Sequence, residues 1–336
     1  MAPDNSESVP WEYRSRMRNS EWYPGMTVGP GQSACVAARM GLLIVLGILW
    51  AVCSGTGSVA IAAERSGGLI DEPVAETRVH ISAAAAEPSD DEAARKRLQE
   101  IAAAFGTDPT AIVSYYEFHY EHDHLPAGAR TDNAVAIASL ALTPSWLLRV
   151  TMPYMWDVPN QPDTSNTKGA GDMEVRVGAR VYNSPYLALF VGTDVLFPTA
   201  SNEQLGAGKY TLGPGIVATV PIPMLRSLFS VLVQNFKSVG GDPRRPKIDY
   251  AQFQLTLNTI WSEQWYTSLL PTVNVDWSRG GKSGMKVEAE IGYQFYGRWE
   301  AFLHPGVGLW GNDLQTGYDW IVQCGVRWVF SSPLFP

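Results

Sequence analysis

The chain has 336 residues, 17% of them charged, with a formal net charge of −8 and a mean hydropathy of −0.07. That hydropathy is too polar for a bundle of membrane helices. The acidic balance speaks against nucleic acid, whose phosphates need clustered Lys and Arg. Of its 3 cysteines, Cys35 and Cys53 fall in the region expected to be removed with a signal peptide, which leaves Cys324 alone and no internal disulfide framework.

The first element in chain order is an apolar run, Gly41–Val52, too short to span a bilayer as a helix and of the length of a signal-peptide core. Arg39 precedes it and Ala60-Ile61-Ala62 comes after it as an A-x-A cleavage site, which places the mature start near Ala63. Residues 1–62 are therefore expected to be an N-terminal extension and signal peptide, with Met40 as an alternative start. An uncleaved anchor, or a lipid-modified Cys53, are the competing readings. The residues before Cys53, Trp50-Ala51-Val52, lack the small residue usual at a lipid-attachment site.

Residues 63–109 read as a periplasmic linker and then one short helix. Ser89-Asp90-Asp91-Glu92 is a capping box. The helix it opens should run through Phe105, with Gly106 as its C-cap and Pro109 beyond. Its apolar stripe is narrow: Ala94, Leu98, Ile101 and Phe105. Two placements stay open for it, inside the lumen of a barrel as a plug, or on the periplasmic rim. An isolated helix of this length is marginal in water.

From 110 to 330 the sequence falls into twelve segments of 11–13 residues with alternating apolar and polar positions: 111–121, 132–142, 146–157, 171–182, 186–197, 208–220, 226–237, 248–260, 265–277, 284–296, 299–310 and 318–330. The gaps between them are short and long by turns. Each segment is long enough for a tilted membrane crossing. In the tenth, Met285, Val287, Ala289 and Ile291 face one way and Lys286, Glu288 and Glu290 the other. The expected fold is all-β: a twelve-stranded antiparallel transmembrane outer-membrane β-barrel with a short N-terminal helix, tight turns on the periplasmic side and loops outside. Residues 331–336 form a C-terminal tail. The expected location is the bacterial outer membrane, with its lipids as partners.

Tryptophans support this reading. Trp146, Trp261, Trp265, Trp299 and Trp328 fall near one end of the segments, and Trp156, Trp277, Trp310 and Trp320 near the other. Trp prefers the membrane interface, where its ring is buried and its N–H hydrated. The last segment holds Gln323, Gly325, Trp328 and Phe330 at the spacing of the β-signal read by the barrel-assembly machinery, which makes that machinery an expected partner. Cys324 has the parity of the lipid-facing positions.

Alternation also assigns the lumen face. The candidate lumen-lining residues are Glu117, Arg149, Glu174, Arg176, Arg180, Asp194, Lys286, Glu288, Glu290 and Arg327. His119, Glu121, Asp172, Lys209, Asp276, Glu300, His304 and Asp319 share that parity. A charge removed from bulk water must be paired or hydrated, so both a water-filled pore and a self-bridged interior satisfy the pattern. The acid excess favours cations or neutral solutes over anions. Inward Phe190, Leu232, Phe236 and Phe302 fit either an apolar constriction or packing. His119, His122 and His124 with Glu121 and Asp123 read as a polar loop tip, and no metal site, cofactor or catalytic residue is expected. A non-conducting scaffold or adhesin-like barrel is the alternative to a channel.

Three stretches carry a resemblance: Gly169-Ala170-Gly171-Asp172-Met173, then Leu205-Gly206-Ala207-Gly208-Lys209-Tyr210, and then Leu212-Gly213-Pro214-Gly215. With the long aromatic-tipped hairpin of the ninth and tenth segments, 110–330 resembles the outer-membrane transporters labelled "meta-pathway of phenol degradation". The resemblance implies passive uptake of small, often aromatic or hydrophobic, molecules, and supplies no catalytic residues.

Overall fold

The computed structural model describes residues 89–158, 167–332 and 334. The expected signal peptide, the linker before Ser89, most of the 158–170 loop and part of the C-terminal tail lie outside the described residues.

The chain enters through helix α1 (Asp90–Ala104). Ser89 caps it, its hydroxyl accepting from the Glu92 backbone N–H at 3.3 Å, and three acids occupy the first turn, where the helix dipole favours them. The helix stops one residue before the expected end. Phe105 is the capping residue, and Gly106 takes a φ of +68°, where a side chain is strained. An added Cβ at Gly106 would also lie 3.1 Å from the Arg327 side chain, so glycine here answers both backbone and space. The buried face is Leu98, Ala102 and Phe105, with Ala94 exposed; the expected stripe was placed on the wrong edge of the helix at its N-terminal end.

Thirteen strand segments come next: β1 (Ser114–His124), β2 (Arg130–Ala141), β3 (Trp146–Val158), β4 (Thr167–Ala170), β5 (Met173–Asn183), β6 (Ala188–Phe197), β7 (Lys209–Ile222), β8 (Ser227–Gly241), β9 (Asp249–Ile260), β10 (Trp265–Asp276), β11 (Lys282–Phe295), β12 (Trp299–Trp310) and β13 (Trp320–Phe330). Every neighbour pairing is antiparallel. β1 pairs with both β2 and β13, and β2 with β3, so the sheet closes on itself, with only the short β4 paired on one side. β4 and β5 together make one stave: β4 pairs with Tyr154–Asp157 of β3, and β5 with Trp146–Thr151. The result is a closed twelve-stranded barrel.

Connections at the end that receives α1 are tight turns, such as Leu142–Ser145, Ser184–Leu187, Trp261–Gln264 and Tyr296–Arg298. Those at the other end are longer, reaching Pro198–Gly208. By the rule for such barrels, the tight-turn end is periplasmic. Apolar side chains that alternation sends outward are exposed, among them Phe118 at 56%, Met152 at 55% and Leu303 at 46%. In a barrel of this kind that surface faces lipid. Tyr116, Trp328, Trp299 and Phe330 pack ring on ring at the periplasmic edge, with centroids 4.9–6.1 Å apart where they meet. Cys324 is exposed on the same outer face.

Strand ends move by up to four residues from the sequence reading, β8 running to Gly241 instead of 237, and two regions matter for the lumen. β1 begins at Ser114 rather than at 111, because Thr110 and Ala111 are buried against the inside of the barrel. It then runs to His124, so the His/Asp run is strand and not a loop tip. The expected 171–182 strand breaks at Gly171-Asp172. There the Gly171 N–H donates to Pro153 O, and Asp172 accepts from the backbone of Ala200 and Ala207 at 3.0 and 2.6 Å. The glycine-rich stretches thus meet at the outer end, where strand pairing gives way to a braced loop.

Candidate functional site: the lumen and its cap

The segment before β1 fills the periplasmic mouth. Phe105 drops into a cluster of Leu98, Ala102, Leu228, Ile260 and Tyr266, its ring 5.0 Å from that of Tyr266. Polar contacts reach the wall on every side. Arg95 donates to Pro221 O at the end of β7, Gln99 to Ser184 O in the β5–β6 turn, and Gln294 of β11 to Ala104 O. Ser139 of β2 donates to Val113 O. Of the two placements left open for the helix, α1 takes the rim, and it is the non-helical stretch after it, 105–111, that enters the lumen.

Two arginines hold that inserted piece. Arg180 donates to Thr110 O at 2.6 Å, to the Asp108 carboxylate at 2.8 Å and to the Thr110 hydroxyl at 3.1 Å. Asp108 in turn accepts from the Thr110 N–H and hydroxyl, at 2.8 and 2.7 Å. Arg327 donates to Phe105 O at 3.0 Å, to Glu117 at 2.7 Å and to Glu300 at 2.9 Å. Its guanidinium also lies over the rings of Tyr115 and Phe302. The Tyr266 hydroxyl sits between Glu290 and Glu300, at 2.5 and 2.6 Å. An added Cβ at Gly292 would clash with the Tyr266 ring, so that glycine makes the space the tyrosine needs. His119 contacts Glu117 at 2.9 Å and His304 contacts Glu290 at 3.0 Å, completing a polar layer above the cap.

Above this layer lies a cavity of about 420 Å³. Glu117, Arg149, Arg176, Asp194, Glu290 and Arg327 line it, and residues 106–109 and Ala111 form its floor. Arg176 grips Asp194 through two nitrogens at 2.6 and 2.7 Å, and Gln234 adds a donor at 2.7 Å. One wall is uncharged: Gln252, Gln254 and Thr256 of β9 run up it, and the Gln254 amide donates to Thr256. Phe190, Val217 and Leu232 form an apolar patch beside it, packed with Leu147 and Ile112.

The remaining candidates sit elsewhere. Arg180 is beneath the cavity, engaged by the cap. Lys286 and Glu288 pair at 3.2 Å, and the Tyr318 hydroxyl, from the β12–β13 loop, donates to Glu288 at 2.7 Å. Burial, and then the charge of Glu288, push that hydroxyl far above the usual tyrosine range. Glu174 makes no ion pair at contact distance among the described residues; it lies opposite Thr151 in the register. Several inward acids and a lysine serve the outer loops instead. Asp172 braces 200–207, Asp276 caps the turn at Arg279, and Lys209 donates to Asp242 O. Asp242 itself is held down at about 2 by the side-chain and backbone hydrogen bonds it accepts from Arg244. Phe236 stacks on Tyr250 and takes no part in the cavity wall.

Parity alone did not reveal the functional weight of Asp108, Thr110, Tyr115 or Tyr266. For Asp108-Pro109-Thr110 the available signal was an Asp two residues before a Thr, which favours a local side-chain-to-backbone turn. The histidines disperse. His122 contacts Asp132 at 2.6 Å and His124 lies 3.5 Å from Asp319. Among the described residues no group of three or more His, Cys, Asp or Glu is placed to hold a metal ion.

Comparison with solved structures places this architecture. An outer membrane channel from Pseudomonas putida F1 is similar at a TM-score of 0.51 and 11% identity, over 65% of this chain and 95% of that one. The fold is that of a bacterial outer-membrane barrel. The NanC porin is similar at a TM-score of 0.45 and 10% identity, over 64% of this chain and 98% of that one. For the KdgM porin the values are 0.42 and 9%, over 65% and 99%. No protein-family model matches the sequence, and none of the curated proteins is similar to it.

Proposed function

We propose that this chain is an outer-membrane channel for passive passage of small molecules, closed at its periplasmic mouth by its own N-terminal segment. The observation that carries the reading is the cavity itself. It is a lumen lined by charged, amide and apolar side chains, and its floor is a separate piece of chain, residues 106–111, rather than barrel wall. A barrel built only to be rigid has no need of a cap that can be detached without breaking one strand pairing. Passage begins when the cap leaves. The glycine-rich resemblance to the phenol-degradation transporters, together with the patch at Phe190, Val217 and Leu232, supports solutes with apolar parts.

A second reading draws on the same cap: its many contacts favour a barrel that stays shut and acts as a scaffold. Planar-bilayer recording separates the two. The full chain is expected to show rare or no steps, and a variant lacking 90–109 to show frequent ones. Silence from that variant, in barrels verified by faster migration on unheated gels, would favour the scaffold.

A further inference from the structure

We propose that Arg149 is the anion anchor of a luminal site that takes a small organic carboxylate with an apolar body. The inference deepens the channel reading and rests on it for access to the cavity.

The charges lining the cavity resolve into partners with one remainder. Asp194 holds Arg176, and Arg327 holds Glu117 and Glu300. Asp108 is taken by Arg180 and Glu290 by His304. Arg149 lines the same cavity and, among the described residues, has no carboxylate at ion-pair distance. Its Nε is buried and has no hydrogen-bond partner. A buried donor left unpaired is costly, and such groups in a folded protein call for an explanation.

Its surroundings supply one. The guanidinium lies 5.4 Å from the centre of the Tyr115 ring, a contact that uses none of its N–H donors. Arg176 stands directly opposite it on β5. Like charges so placed destabilise a sheet. Asp194 takes two nitrogens of Arg176 and none of Arg149, and Glu174, within electrostatic range of both arginines, forms no ion pair with either. Glu174, the nearest acid in the register, is opposite Thr151, one diagonal away. A carboxylate in the cavity would accept from the Arg149 fork in the two-point geometry that guanidinium favours.

The same wall specifies the rest of the ligand. Leu147, two residues along β3 and on the same face, belongs to the cluster with Phe190 and Val217, against which Leu232 packs. Three of these, Phe190, Val217 and Leu232, line the cavity. An anion seated on Arg149 therefore has apolar surface beside it and neutral amides beyond, and the volume of about 420 Å³ suits a compact molecule. This reverses the preference suggested by the excess of inward acids. Apart from Glu174, those acids are occupied by Arg, His, Tyr and loop backbone, and the guanidinium donor left without a partner in the cavity wall is the Arg149 Nε.

The test is equilibrium binding to the refolded full chain, by calorimetry in detergent, with benzoate, benzamide, acetate and benzylammonium as probes. Saturable benzoate binding is expected, at least tenfold tighter than benzamide or acetate and with no competition from benzylammonium. Arg149→Gln should weaken benzoate at least tenfold, and Arg149→Lys, which keeps the charge but loses the fork, by a smaller factor. Folding of each variant is checked by heat-shifted gel migration. Three results would overturn the proposal: no saturable benzoate heat with the folded full chain, benzoate affinity within twofold of parent in Arg149→Gln, or benzamide binding as tightly as benzoate. Acetate matching benzoate would remove the apolar part of the site. Conductance is not the readout, so benzoate binding by the full chain, with silence from the variant lacking 90–109, sinks only the channel reading. A barrel that conducts and ignores benzoate sinks only this site.

Discussion

Arg180→Ala should unseat the cap. In the folded protein the Arg180 side chain is 17% exposed and the Asp108 carboxylate only 1%, so this is a buried pair, not a surface one. Removing one partner of a buried pair costs ~3–5 kcal/mol, mostly the penalty of the charge left behind. The lower end applies, because Asp108 keeps the Thr110 N–H and hydroxyl. The barrel wall does not depend on Asp108, so the penalty is relieved if 105–111 swings out and the carboxylate hydrates. About 3 kcal/mol is a shift of roughly 150-fold in the docked-to-undocked ratio. Single-channel recording reads this as open probability, with the variant lacking 90–109 as the fully open reference. Adding Asp108→Asn to Arg180→Ala removes the stranded charge and should restore much of the closed time. Open times in Arg180→Ala equal to those of the full chain, while the deletion variant conducts freely, would refute the claim that this pair holds the cap.

Other expectations come from the same packing. Arg327→Ala strands Glu117 and Glu300 together; it should destabilise the barrel by ~3–5 kcal/mol, seen as loss of the fast-migrating gel form at a lower temperature. Gly292→Ala puts a methyl into the Tyr266 ring; a cost of ~1–3 kcal/mol is expected in urea unfolding, and a Tyr266→Phe background, which keeps the ring, should not rescue it. Cys324, exposed on the outer face, should react in liposomes with an apolar maleimide and not with a charged one. Equal labelling by both would place it out of the lipid.

Much of the barrel was legible because two-residue alternation reports which face a side chain takes, and the lipid face tolerates almost no polar residue. Trp146, Trp265, Trp299 and Trp310, all exposed near strand ends, marked the interfaces for the same reason. What parity cannot give is the partner. Glu288 and Glu290 are two apart on one face, yet one meets Tyr318 and the other His304. Lys209, Asp276 and Asp172 have lumen parity but stand near strand ends, where loop backbone claims them. The expected first strand ended at Glu121, which left His122, Asp123 and His124 to the loop tip. A water-facing lumen side and pairing with β13 on one edge and β2 on the other make them strand all the same. The break at Gly171-Asp172 depends on backbone N–H groups about 30 residues downstream, which no local window contains.

Arg327 lies on the last strand, Glu117 on the first, and Phe105 in the piece just ahead of the first. β1 and β13 are also the two strands whose pairing shuts the ring. Contacts between chain ends are the slowest to form, since the longest loop must be closed to make them. The final act of assembly therefore depends on one residue that arrives last and finds three earlier-made groups waiting. Val113 runs directly into Ser114, so the cap is tethered to the strand that closes the seam. A cap that swings out leaves Arg327 with one acceptor fewer at the seam, so the closure of the cylinder and the seating of its stopper share one side chain.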